Sequence, residues 1–215
     1  MDALSAIILA GGKSRRMGRP KATLAFAETT ILERLVTEFS SNFDDVLVIA
    51  APANCETFPI QDLLRRSPPF VRLMRDQNEF EGPAIALSHG LTAAVHNVAF
   101  ACSCDLPLVR VDVVVALSGM LNGYEAVIPQ IHGQSQPLHA VYRRNVVAHI
   151  EKQLASGERR LTCITESLNA YRPGDAELRQ SDPELYSFLN VNTPEEYDRA
   201  VTIAQMLQGE DKSKA

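Results

Sequence analysis

The stretch Ser5-Ala6-Ile7-Ile8-Leu9-Ala10-Gly11-Gly12 decides the fold. The run from Ser5 to Ala10 is apolar and partly β-branched, and it stops at two glycines, the pattern of a strand buried on both faces that feeds a loop. Similar runs recur at Val46–Ile49, Phe70–Leu73, Val98–Cys102, Glu125–Ile128 and Leu138–Tyr142, with a short one at Phe188-Leu189. Between them lie helical spacings: Leu32, Leu35, Val36 and Phe39 share a face, as do Leu87, Leu91 and Val95, and then Val147, Ile150 and Leu154. Strand and helix alternate, which argues for an α/β protein. Thr193-Pro194-Glu195-Glu196 combines an N-cap, proline at the first helical position and a capping-box glutamate, so a last helix runs towards Leu207.

The chain has 215 residues, 46% of them hydrophobic and 22% charged, enough to bury one sizeable core. No proline-rich or charged linker separates two segments that could each own a core, so one domain over residues 1–208 is expected, with a charged, disordered tail at 209–215. A net charge of −5 gives no general basic field, so nucleic acid is not an expected partner and any phosphate recognition must be local. The start, Met1-Asp2, carries no basic region, and the first apolar run is too short to span a membrane. Cys55, Cys102, Cys104 and Cys163 contain no CxxC pair, which fits the reduced thiols of a cytoplasmic protein better than a zinc site or a disulfide framework.

Phosphate chemistry is concentrated just after the first strand, in Leu9-Ala10-Gly11-Gly12-Lys13-Ser14-Arg15-Arg16-Met17-Gly18-Arg19-Pro20-Lys21. Glycines let backbone amides approach an anion, arginines offer forked donors, and a lysine adds a movable point charge. The spacing matches neither the GxxxxGK[ST] loop nor the GxGxxG fingerprint, so P-loop hydrolysis and hydride transfer lose ground.

Asp105 follows the strand Val98–Cys102 and precedes Leu106-Pro107, which brings its carboxylate to the sheet's carboxyl edge. An acid there can hold Mg²⁺ together with phosphate oxygens and water. An aspartate before proline also suits a turn cap, so the residue alone leaves both readings open. Asp76 follows the strand candidate at 70–74 and reaches the same edge, although Asp76-Gln77-Asn78 is also ordinary loop chemistry. Asn190 and Asn192 flank Val191 and point the same way if the strand continues through both; alternatively Asn192 merely precedes the helix start at Thr193.

LAGGKSRRMGRPK resembles the signature loop of nucleotidyltransferases, specifically that of the bacterial molybdenum cofactor guanylyltransferase (MobA) family. EGPAIAL is similar to that family's GPLAG segment, CSCDLPLV to its CDxP segment and FLNVNTPEEY to its NVNTPEE segment, with ASGERRL a further match. The resemblance runs from about Ile7 to Tyr197. It implies a Rossmann-like, three-layer α/β fold with a mostly parallel sheet. It also implies transfer of GMP from GTP to Mo-molybdopterin, with release of pyrophosphate. It assigns Leu9, Ala10, Gly11, Gly12, Arg15, Arg16, Lys21, Asp76 and Asp105 to the nucleotide. Lys21 and Asp105 are the implied catalytic residues, Asp105 the Mg²⁺ ligand, and Asn190 and Asn192 the contacts for the molybdopterin substrate. Other cofactor-biosynthesis proteins or a recipient molybdoenzyme are implied partners.

The chain departs from the family where an asparagine often ends the second strand, because Ile49-Ala50-Ala51 stands there and Asn54 is the nearest amide. Ala86 replaces the second glycine of GPLAG, and Gln136-Pro137 replaces a His-Pro pair. Guanine discrimination is therefore expected to rest on backbone groups around Leu9, Ala10 and Gly11. The rival readings are a cytidylyltransferase or sugar-phosphate nucleotidyltransferase of the same fold, or a noncatalytic nucleotide-binding or cofactor-delivery protein. LAGGKS favours guanylyl transfer, since cytidylyl relatives usually read LAAG there, and Lys21 with Asp105 favours catalysis. The five histidines form no HxxxH or HExxH pair and read as structural or surface groups, with His139 near enough to Pro137 to face the pocket. Ser14 and Ser135 lack a nucleophile elbow.

Overall fold

The computed structural model describes residues 3–11, 20–55, 60–76 and 82–214, with the backbone alone for Cys55 and 208–214. In chain order the elements are β1 (Leu4–Leu9), β2 (Ala25–Phe26), β3 (Thr29–Thr30), α1 (Ile31–Ser40), β4 (Val46–Ala50), α2 (Ile60–Leu63), β5 (Val71–Arg75), α3 (Pro83–Ala93), β6 (Val98–Ser103) and α4 (Val111–Gly119). There follow β7 (Ala126–Val127), β8 (Gln130–Ile131), β9 (Gln134–Ser135), β10 (His139–Arg143), α5 (Val146–Ala155), α6 (Leu161–Glu166), β11 (Ala170–Tyr171), α7 (Asp175–Leu178) and α8 (Pro194–Lys214).

A seven-stranded sheet in the order β11-β7-β10-β6-β1-β4-β5 forms the middle layer. β1 pairs in parallel with both β4 and β6, and β5 continues the parallel half beyond β4. Within this sheet β10 alone runs against its neighbours, β6 and β7. β1 is buried at every position, as a strand covered by helices on both faces must be. Its side chains alternate between two cores. Ala6 and Ile8 join Leu32, Leu35, Val114 and Ala200 beneath α1, α4 and α8, while Ile7 and Leu9 join Leu87, Leu91, Ile150 and Ile164 beneath α3, α5 and α6.

α1 shows how the sequence sets an element. Thr30 caps the amide of Glu33, and the Glu33 carboxylate returns to the Thr30 amide, a complete capping box. The cap contributes about 1 kcal/mol, whereas Ile31, Leu32, Leu35, Val36 and Phe39 are buried and contribute about 2 kcal/mol each, so packing dominates. α8 opens in the same way, with Thr193 Oγ1 accepting from the Glu196 amide and Glu196 Oε2 accepting from the Thr193 amide.

Two expectations fail. Phe188-Leu189 is no strand: Tyr186–Phe188 is a 3₁₀ turn entered through left-handed Leu185, and residues 189–192 have no ladder partner strand. Val95 does not extend the apolar face of α3. The helix ends at Ala93, the Asp45 carboxylate accepts the Val95 amide at 2.8 Å, and the Val95 side chain is left 62% exposed. Among the described residues no helix is long and apolar enough to cross a membrane.

Candidate active site

The chain builds β1, β4 and β5 outward on one side of β1, then crosses through α3 to place β6 on the other side. That reversal makes the carboxyl ends of β1 and β6 the switch point of the sheet, where α/β folds open a crevice for ligands. Backbone bonds carry the ladder past the strand ends and align the loops there. Cys104 N–H donates to the Leu9 carbonyl at 3.1 Å, Ala10 N–H to Ile49 at 2.8 Å and Asp76 N–H to Ala50 at 2.9 Å. Residues 10–11, 51, 76 and 104–105 therefore lie side by side on one edge.

Three side chains from distant parts of the chain meet at this edge. Lys21, in the 3₁₀ turn Lys21–Thr23 that follows Pro20, donates from Nζ to Asn192 Oδ1 at 2.7 Å and lies 3.4 Å from Asp105 Oδ2. Asn192 is fixed from behind, because its amide and that of Thr193 both donate to Glu196 Oε2 in the first turn of α8. Asp105 is fixed by its backbone, since its carbonyl accepts the Val191 amide at 2.8 Å. The Lys21 and Asp105 side chains keep 17% and 24% exposure, so a phosphate can reach them while water screens them less than at a free surface.

Beside this cluster is a cavity of about 170 Å³ lined by Leu9, Gly11, Ile49, Ala51, Asp76, Gly82, Pro83, Ala86, Ser103 and Leu138. Its floor is apolar. Its polar lining comes from Asp76 and Ser103, from backbone at Gly11 and Ala51, and from the start of α3, where Gly82 at φ +96° leads into Pro83. Gly11 borders both Asp76 and Ala51: a Cβ there would stand 3.9 Å from Asp76 Oδ2 and from the Ala51 nitrogen, an ordinary contact. Arg75 braces Ala51 by donating to its carbonyl at 3.0 Å, and His89 Nδ1 lies 3.9 Å from Asp76 Oδ1. Tyr142 donates to the Pro137 carbonyl at 2.6 Å, anchoring the loop that carries Leu138.

Of the residues singled out in the sequence, Lys21, Asp105 and Asn192 meet at the edge, and Leu9, Gly11 and Asp76 line the cavity. Ala10 is half-buried between them. Asn190 is half-buried on the segment before Asn192, and among the described residues no side-chain hydrogen bond ties it to Lys21 or Asp105. Gly12, Arg15 and Arg16 lie outside the described residues. Sequence reasoning did not nominate Ala51, Gly82, Pro83, Ala86, Ser103 or Leu138 for the site. Gly82, Pro83 and Ala86 carried a signal all the same, because they belong to EGPAIAL, whose glycine and helix-starting proline mark a loop entering a helix.

Burial pushes the Cys102 and Cys104 thiols well above the usual range, and Asp105 adds to it for both, so neither supplies a thiolate nucleophile. His139 does not face the cavity. It is fully buried, in edge contact with Phe100 and tilted against Phe188 with ring centres 4.1 Å apart, and burial pushes its pKa down to about 3. Among the described residues no three His, Cys, Asp or Glu side chains gather as a metal cage. The Asp105 carboxylate, a hard oxygen donor, stays partly open to solvent with its Oδ2 3.4 Å from the Lys21 ammonium.

The model of the MobA-like NTP transferase domain family matches residues 6–171. A protein of Methanosarcina acetivorans named "Probable molybdenum cofactor guanylyltransferase" is 35% identical over 205 residues, covering 92% of this chain and 89% of its own. The molybdenum cofactor guanylyltransferase of Desulfosudis oleivorans is 32% identical, with 93% and 95% covered. Among solved structures, molybdopterin-guanine dinucleotide biosynthesis protein A of Archaeoglobus fulgidus superposes with a TM-score of 0.79 at 24% identity, covering 94% of this chain and 99% of that one.

Proposed function

The chain belongs to the MobA-like NTP transferase family and is a nucleotidyltransferase; from that premise we propose that it transfers GMP from GTP to the terminal phosphate of Mo-molybdopterin. A molybdopterin phosphate oxygen attacks the α-phosphorus of GTP, the bond from that phosphorus to the bridging oxygen breaks, and pyrophosphate leaves. No enzyme nucleophile is required, which agrees with the protonated state of the buried thiols.

The observation that carries this reading is the junction of Lys21, Asn192 and Asp105 at the switch point of the sheet, next to a cavity floored by Leu9 and Gly11. Lys21 supplies positive charge to the phosphates, and Asn192 holds its ammonium without cancelling it. The base enters the cavity, where backbone groups and Asp76 offer the polar partners. Gly12, Arg15 and Arg16 extend the phosphate contacts on the strength of their sequence positions, and Asn190 with Asn192 faces the pterin substrate. Asp105 would hold Mg²⁺, which when bound neutralises charge on the α-phosphate and the leaving pyrophosphate. The protein's own part is to align two phosphates that repel each other, and alignment with charge placement supplies most of the rate.

A panel of GTP, CTP, ATP and UTP, each with molybdopterin-loaded acceptor and Mg²⁺, tests the proposal through pyrophosphate release and product mass. GTP is expected to exceed CTP by at least ~100-fold in kcat/KM, as for a site whose polar groups go unpaired with the wrong base. Equal efficiency with CTP would refute guanylyl transfer while leaving nucleotidyl transfer standing.

A further inference from the structure

We infer that Arg34, on the flank of α1, is a positioning residue that sets the place of the Asp105 carboxylate. The inference rests on the role proposed above for Asp105. Arg34 Nε donates to the Pro107 carbonyl at 2.8 Å across 73 positions of sequence. Pro107 is two residues beyond Asp105, in a tight turn closed by Leu106 N–H to the Ser103 carbonyl at 3.2 Å and Val109 N–H to the Leu106 carbonyl at 3.4 Å. On the other side, the Asp105 carbonyl accepts the Val191 amide. Asp105 therefore sits in a short loop held from one flank by the segment that carries Asn192 and from the other by Arg34.

The arginine itself is well braced. Its guanidinium lies 5.7 Å from the ring centre of buried Phe26, whose other edge meets Tyr197 at 6.5 Å. Burial draws the Arg34 pKa below its ordinary value, and Glu38 one turn along opposes the fall. Glu38 also serves α4, because its Oε1 accepts the Val111 amide at 3.1 Å and so caps a helix whose own N-cap residue, Arg110, offers no side-chain cap. The same α1 also governs the lysine, because the Ile31 amide at its start donates to the Leu24 carbonyl at 3.0 Å and Leu24 N–H donates to the Lys21 carbonyl at 3.1 Å. α1 thus links the turn of Lys21 to the turn of Asp105, and Arg34 is the side chain that makes the second connection. A charged donor to a carbonyl is worth more than a neutral one, and a small displacement of a charge-placing group is costly in rate.

The test compares wild type with Arg34→Lys, Arg34→Met and, as a control, Glu38→Ala. In Arg34→Met, hydrogen exchange at the Leu106, Val109 and Val191 amides should speed up at least ~10-fold while the β1 amides are unchanged, the signature of local opening. With GTP, molybdopterin and saturating Mg²⁺, its kcat should fall at least ~10-fold while the GTP dissociation constant stays within about threefold, as for a group acting on the transition state. Arg34→Lys keeps a charged donor and should recover most of kcat, and Glu38→Ala should lower Tm with kcat retained. Unchanged kcat or exchange in Arg34→Met, or an equal kcat loss in Glu38→Ala or Arg34→Lys, would overturn the inference. If wild type itself releases no pyrophosphate, the proposed function falls, and the exchange data alone decide whether Arg34 holds the turn.

Discussion

Lys21 Nζ donates to Asn192 Oδ1 at 2.7 Å, although 171 positions separate them. The neutral amide oxygen orients the ammonium, which also donates to Asp105 Oδ2 at 3.4 Å in an ion pair.

Lys21→Met keeps much of the aliphatic stem and removes the charge. GTP affinity is expected to drop at least ~10-fold, the loss of a strong phosphate contact, with Tm near wild type because the head group is not a core element. Calorimetric titration checks it; unchanged GTP binding removes Lys21 from nucleotide recognition. Asn192→Ala should produce a smaller loss in the same assay, since the charge survives and only its orientation is gone.

Asp105→Asn preserves shape and hydrogen-bonding capacity at a partly exposed site. Turnover at saturating Mg²⁺ should fall at least ~100-fold, the scale of a lost electrostatic group. Steady-state pyrophosphate release measures it, and near-normal turnover would exclude the carboxylate from the reaction.

The parallel strands β1, β4 and β6 were legible because they are apolar on both faces, and the edge positions of Asp76 and Asp105 followed from where β5 and β6 end. The antiparallel β10 was not, since Leu138–Tyr142 reads the same in either direction and only its pairing with β6 reveals it. Two-residue strands such as β11 carry too few residues for any period. At the site, the polar members could be named, but the cavity walls could not: Ala51, Ala86 and Leu138 are ordinary apolar residues until the fold sets them around one space. Asn192 meets Lys21 without the strand expected to carry it, because the capping box of α8 fixes it instead.

Gly11→Val separates pocket access from folding. The first added carbon would sit 3.9 Å from Asp76 Oδ2 and the Ala51 nitrogen, an ordinary contact, so the protein should fold with little change in Tm. The remaining methyls enter the cavity, and GTP affinity should fall at least ~10-fold, while Asn54→Ala, outside the cavity lining, should leave it within about twofold. Nucleotide titration of both variants decides the point; a tolerant Gly11→Val would move the base elsewhere.

Gly90 is constrained by packing. A Cβ there would come within 2.7 Å of Ile7 Cγ2, on a fully buried, β-branched side chain of the central strand that has no room to turn. Gly90→Ala gains helix propensity of up to about 1 kcal/mol but incurs overpacking of about 1–3 kcal/mol, so net destabilisation is expected by urea unfolding. Gain of stability would show that β1 and α3 can separate without cost.

His139 predicts a pH dependence. It is fully buried, neither ring nitrogen has a hydrogen-bond partner among the described residues, and its pKa is pushed down to about 3 by burial. An unfolded histidine titrates near about 6.5, so below that pH the unfolded chain binds a proton that the folded protein refuses. The contribution of neutral His139 is complete above about pH 6.5 and is lost towards pH 3, at about 1.4 kcal/mol per pH unit. His139→Phe places an aromatic ring between Phe100 and Phe188 and removes the titration. Urea unfolding of both proteins at about pH 7 and about pH 5 isolates the effect, because the other titrating groups cancel in the difference. The gap between variant and wild type should widen by roughly 2 kcal/mol over that interval, as integration below pH 6.5 requires; a gap independent of pH would mean that His139 accepts its proton in the folded state.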